Sequence, residues 1–156
     1  MRTASFPTPQ APASLLAPIL VGGAVAGAFD LIGAFISFGP DNPHIIAAGL
    51  IGLHASRSGG VLTWILGVLL HFTIAISAAA VYCLSSRRLP FLRDNWLVCG
   101  MFFGMGLFLV MNLVVLPLCA FHYTGPYQYR GLLQGILVHM TIIGLPVSYS
   151  LHKLAR

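Results

Sequence analysis

The stretch VGGAVAGAFDLIGAF, Val21–Phe35, decides the fold. It lies inside a longer apolar run, Leu15–Gly39, that is long enough to cross a bilayer core, which takes about 20 residues of helix. Gly23 and Gly27 stand four apart, so they fall on one face, and small residues at that spacing let helix backbones approach closely in lipid. Asp30 continues the same face. A carboxylate in such a run is costly unless it points away from lipid, so its position on the glycine stripe predicts that it faces other helices.

The rest of the chain has the same character. Of 156 residues 58% are hydrophobic and only 7% charged, where a soluble domain carries about 25% charged residues. Three further runs reach spanning length: Gly60–Leu84, Trp96–Phe121 and Gly131–Leu151. The fold class expected is all-α: a polytopic integral membrane protein, with residues 15–156 forming a single four-helix transmembrane domain. Residues 1–14, rich in Pro, Ser and Thr, read as a flexible cytoplasmic arm. The run after them is too long for the apolar core of a signal peptide and reads as a membrane anchor. Between the first two spans, PHIIAAGLIGLHAS (Pro43–Ser56) is too short to cross. It reads as a short re-entrant or interfacial helix over about 43–55, started by a capping side chain from Asp41 or Asn42 and by Pro43 in its first turn.

Four spans put both termini and the loop after the second span on one side. That side carries Arg2, Arg87, Arg88, Arg93, Lys153 and Arg156, against Arg57 and Arg130 opposite, which places the termini in the cytoplasm. Counting the short segment as a fifth span weakens this bias. The net charge of +5 is scattered over loops and ends; no clustered basic face of the kind nucleic acid requires is present. Cys83, Cys99 and Cys119 show no paired spacing and read as small buried hydrophobes. Tyr123, Tyr127 and Tyr129, with Trp64 and Trp96, suit an interfacial belt, the three tyrosines alternatively a binding lid. His44, His54, His122 and His152 fall at helix ends or in loops, where solvent or headgroups meet them, and His44 and His54 bracket the short helix as a second candidate site at the outer face.

Each span carries one conspicuous polar side chain: Asp30, His71, Asn112 and His139. Counted from the outer helix ends, they lie 9, 11, 9 and 8 residues deep, or roughly 12–17 Å at 1.5 Å per residue. His71 shares a face with Gly67, Ala75, Ala78 and Tyr82, and His139 with Gly135, Pro146 and Ser150. Pro117 and Pro146 free the carbonyls of Leu113 and Ile142 close to Asn112 and His139, so a polar pocket is expected in the outer half of the bundle. Several readings follow from these four residues. They form a site that binds or relays a proton, an ion or a small ligand, or they are fasteners between helices in an accessory or scaffold subunit. A narrower reading takes Asp30, His71 and His139 as metal ligands, or His71 and His139 as haem ligands. No cofactor is firmly implied, and no nucleophile elbow, phosphate loop or dinucleotide fingerprint supports an enzyme. Partners are the lipid bilayer and a second copy or a partner subunit, docked through Gly23, Gly27, Gly100 and Gly104.

The segments HFTIAISAAAVYCLSSRRLPFLRDN (His71–Asn95), GMFFGMGLFLVMNLVVLPL (Gly100–Leu118) and LLQGILVHM (Leu132–Met140) resemble a group of small four-span bacterial membrane proteins of no established activity. The resemblance runs from about Ala24 to the C-terminus. It implies four spans and a place in the bacterial inner membrane, and it brings no activity.

Overall fold

The computed structural model describes residues 14–126 and 128–155. The proposed arm over residues 1–13, Arg2, Tyr127 and Arg156 lie outside the described residues. Those described form helices and connecting turns, with no strand among them. Four helices are long and apolar enough to cross a membrane: α1 (Leu16–Phe38), α4 (Gly60–Ser85), α6 (Trp96–Leu118) and α7 (Tyr129–Leu154). Three short helices, α2 (Asn42–Ile51), α3 (Leu53–Ser58) and α5 (Phe91–Asp94), complete the helices of the described residues.

Glycines decide which helix touches which. α1 lies between α4 and α7, and α7 lies between α1 and α6. Neighbouring glycines on α1 serve different partners, because consecutive residues of a helix point 100° apart. Gly22 packs against Val147 and Ser150 of α7, whereas Gly23 and Gly27 pack against Ile76, Phe72 and Ala75 of α4. On α6, Gly100 meets Ser148 and Gly144, and Gly104 meets the backbone of His139 and Met140. Gly23, Gly27, Gly100 and Gly104 are thus filled by the chain's own helices, which leaves none of them as an open docking face. The half of the bundle opposite α2 and α3 closes around Ala26, Ala79, Tyr82, Cys83, Ile143, Val147 and Leu151, with the Tyr82 ring 4.8 Å from that of Phe103 on α6. Large apolar side chains such as Phe29, Ile32, Ile36, Leu69 and Phe102 stay exposed around the outside. That is the surface a hydrocarbon solvent calls for.

The short outer segment differs from expectation in two ways. It is two helices rather than one, because Gly52 adopts φ +82°, a left-handed conformation that breaks the helix. Pro43 stands in the first turn of α2 as expected, but Asp41 and Asn42 supply no side-chain cap. The start is held from α4 instead. A methyl at Gly67 would collide with the Pro43 carbonyl, so the absent side chain there is what seats α2. α3 is fixed by a closed ring of hydrogen bonds. The Thr63 hydroxyl reaches the Ser56 carbonyl (2.8 Å) and accepts from His44 Nδ1 (3.1 Å), while the Ser56 hydroxyl donates to the His44 carbonyl.

The last two spans carry a second departure. α6 is a π-helix over Met111–Val115 and α7 over His139–Gly144, each just before its proline. A π turn takes in one more residue than an α turn, and it lets the chain pass a residue that cannot donate an i→i−4 bond. α6 then ends at Leu118, short of the expected Phe121, because Cys119 is extended (φ −70°, ψ 165°).

Candidate functional site

Asp30 and His71 come together. α1 and α4 pack closely along Gly23 and Gly27, and that approach brings His71 Nε2 to 2.9 Å from the Gly27 carbonyl oxygen. A carbonyl only accepts, so Nε2 carries the proton and donates it there. The same nitrogen stands 3.9 Å from Asp30 Oδ2, too long for a hydrogen bond but close enough for an ion pair. The side chains are 12% and 24% exposed, so the pair is screened far less than one in water. Among the described residues, no hydrogen bond reaches the Asp30 carboxylate.

His139 is the candidate on α7. It opens the π turn of α7, and its Nδ1 donates to the Gly135 carbonyl one turn back, at 2.9 Å. That leaves Nε2 as the open nitrogen of the neutral ring. The Phe108 ring packs edge-on against it at 5.1 Å between centroids, as the Phe72 ring does against His71 at 5.7 Å. Each imidazole is therefore held by one backbone carbonyl and one aromatic ring. None of these four partners carries a sequence signal that marks it as part of a site.

Asn112 lies on another level. Gly104 of α6 packs on the His139 backbone, while Phe108 faces Gly135 and the His139 ring. Asn112 is four positions beyond Phe108, about 6 Å further toward the Leu118 end of α6 at 1.5 Å per residue. It donates to the Phe108 carbonyl of its own helix at 2.9 Å. The equal depth suggested by counting fails because α6 stops at Leu118, so Asn112 lies six residues from that end rather than nine.

Three of the helix-end histidines are engaged with the protein rather than left to solvent or headgroups. His44 bonds Thr63, His122 Nδ1 donates to the Pro117 carbonyl (3.1 Å), and His152 Nδ1 donates to the Arg93 carbonyl (3.0 Å). The His44 link spans nineteen positions. The signal that marks it is the pair of hydroxyls, Ser56 and Thr63, in an apolar setting. Trp64 donates to the Pro40 carbonyl at 2.9 Å and stacks on Phe35, so it ties the start of α4 to the end of α1.

Among the described residues, no three His, Cys, Asp or Glu side chains are grouped so as to hold a metal ion. α1 occupies the space between α4 and α7, where a haem would have to lie to take His71 and His139 as axial ligands. Comparison with protein-family models, with curated proteins and with solved structures found no match.

Proposed function

We propose that the chain is a small integral membrane protein whose Asp30, His71 and His139 bind and relay a proton, or a small cation in its place, within the membrane. The observation that carries this reading is the 3.9 Å approach of His71 Nε2 to Asp30 Oδ2. Intramembrane ionisable groups that face one another are the ordinary parts of a proton path. The relay is written from the assigned tautomers. A proton arriving at His71 Nδ1 releases the one on Nε2 to Asp30 Oδ2, and the resulting carboxylic acid delivers it to His139 Nε2. We place the protein in the bacterial inner membrane with both termini cytoplasmic, on its resemblance to small bacterial four-span proteins and on the six basic residues of the inner side against two.

A second reading has its own support. His71, His139 and Asn112 all donate to backbone carbonyls, as fasteners between and along helices do, so they fit a subunit whose polar residues serve packing. Proton uptake separates the two. The protein is reconstituted in liposomes holding a pH-sensitive dye, and a potassium diffusion potential drives protons inward. The wild type should acidify the lumen, and Asp30→Asn and His139→Gln should abolish this while eluting and melting like the wild type. A folded Asp30→Asn that conducts as the wild type does, or a wild type no more conductive than empty liposomes, refutes the relay.

A further inference from the structure

At the end opposite α2 and α3, α1, α4, α5 and α7 enclose a cleft of about 430 Å³ that the proton site does not use. Its floor is apolar, built from Leu15, Leu151 and Ala155, all nearly buried. Its rim is charged: Arg87 follows the end of α4, and Arg93 and Asp94 stand on α5. Among the described residues, no carboxylate lies within ion-pair distance of either guanidinium, including that of Asp94 on the same rim. Two unpaired arginines above an apolar floor are thus held at one end of a membrane bundle.

The rim is built rather than loose. α5 has only four residues, too few to hold itself. Each of its first three carbonyls is taken by a side chain. Asn95 Nδ2 (3.3 Å) and Cys99 Sγ (3.8 Å) donate to Phe91, the Tyr82 hydroxyl from α4 donates to Leu92 (2.9 Å), and His152 from α7 donates to Arg93 (3.0 Å). The backbone of Arg93 is therefore fixed from two spans at once. Around the cleft, Leu16, Leu84, Leu89 and Phe91 are exposed, so apolar surface and the two guanidiniums lie side by side, the pairing that suits the boundary between acyl chains and headgroups.

We infer that this cleft binds the phosphate headgroup of an anionic phospholipid, with Arg87 and Arg93 on the phosphate oxygens and the glycerol end over Leu15, Leu151 and Ala155. Guanidinium is the side chain best matched to phosphate, since its planar fork gives paired N–H donors. The arm that precedes Leu15 carries Arg2 and no acid, so its charge does not complement the rim. Asp94 opposes an anion, which makes it a built-in control. The inference stands apart from the proton site, since none of Asp30, His71 or His139 lines the cleft.

The test is native mass spectrometry of the purified full chain, released from micelles doped with equal phosphatidylglycerol and phosphatidylcholine. The wild type should retain phosphatidylglycerol preferentially. Arg87→Gln and Arg93→Gln should each cut that retention roughly fivefold, since a basic residue near the surface contributes about that factor, and Asp94→Asn should raise it. Arg57→Gln and Arg130→Gln, at the opposite end, should leave it unchanged. Equal loss in all four arginine variants would mean attraction by net charge alone and overturns the site. So does unchanged retention in folded Arg87→Gln and Arg93→Gln. Displacement of the lipid by millimolar inorganic phosphate would assign the cleft to a free anion and overturn the lipid as its ligand.

Discussion

Replacing Gly104 by alanine should destabilise the bundle by about 2 kcal/mol, whereas the same change at Gly106, two positions along α6, should be neutral or stabilising. A Cβ on Gly104 would overlap the carbonyl oxygen of His139 and stand 2.7 Å from Met140 Cα, while one on Gly106 meets nothing within 4 Å. Ordinary contact begins near 3.4 Å, so α6 and α7 must part by at least about 0.7 Å at Met140, a gap that forfeits a quarter to a half of each close contact's attraction. Because the obstructing atoms are backbone, no rotamer change relieves the overlap. Overpacking of this kind costs about 1–3 kcal/mol, and the better helix propensity of alanine returns up to about 1 kcal/mol. At Gly106 only the propensity acts. The assay is reversible unfolding of the two variants side by side in mixed micelles, followed by circular dichroism, so that micelle effects common to both cancel. Equal midpoints for Gly104→Ala and Gly106→Ala would refute the packing of α6 on the His139 turn.

Two other substitutions probe the ends of the bundle. Thr63→Val removes the hydroxyl that joins His44, Ser56 and the Gly60 carbonyl. It should cost about 1–3 kcal/mol and speed amide exchange across residues 42–58, with Thr63→Ser restoring protection; wild-type exchange in the valine variant would show that the ring does not hold α2 and α3. Tyr82→Phe keeps the ring on Phe103 but drops the bond to the Leu92 carbonyl. It should cost about 1 kcal/mol, loosen residues 91–95 in hydrogen exchange and lower phosphatidylglycerol retention. Retention as strong as the wild type's would mean that α5 needs no anchor from α4.

The spans were legible because hydropathy integrates over a whole helix, so no single residue decides it. Gly60–Leu84 in the sequence became Gly60–Ser85 in the structure, and Leu15–Gly39 became Leu16–Phe38. The direction of Asp30 was legible too, since small residues betray a helix-facing stripe even when every side chain around the helix is apolar. Glycine spacing did not reveal which neighbour each stripe meets. Gly22 and Gly23 are alike in sequence, and their assignment to α7 and α4 depends on how α1 is wedged between them. The π turns were hidden for a related reason. Pro117 and Pro146 announce that a bond is lost, but kinking and widening by one residue are both ways to accommodate that loss, and they place Asn112 differently.

The carbonyls of this bundle explain why Asp30 is unlike the other polar residues at its depth. A membrane helix has spare acceptors in its backbone and no spare donors, because each N–H is already used. Side chains with a proton to give can therefore be satisfied anywhere along it. Thr73 donates to Leu69, Thr141 to Leu137, His139 to Gly135 and Asn112 to Phe108, each four residues back in its own helix. Thr73 and Thr141 do so even while exposed on the outer surface. An ionised carboxylate has only acceptors, so that route is closed to it. Asp30 can enter the pattern as a protonated acid that donates, or it can draw an N–H from a histidine whose proton is otherwise given to a carbonyl. His71 Nε2, at 2.9 Å from the Gly27 oxygen and 3.9 Å from Asp30 Oδ2, stands between those two acceptors. For a fastener, leucine or threonine in place of Asp30 would pack without this conflict. A residue that must either hold a proton or borrow one is the chemistry a relay requires.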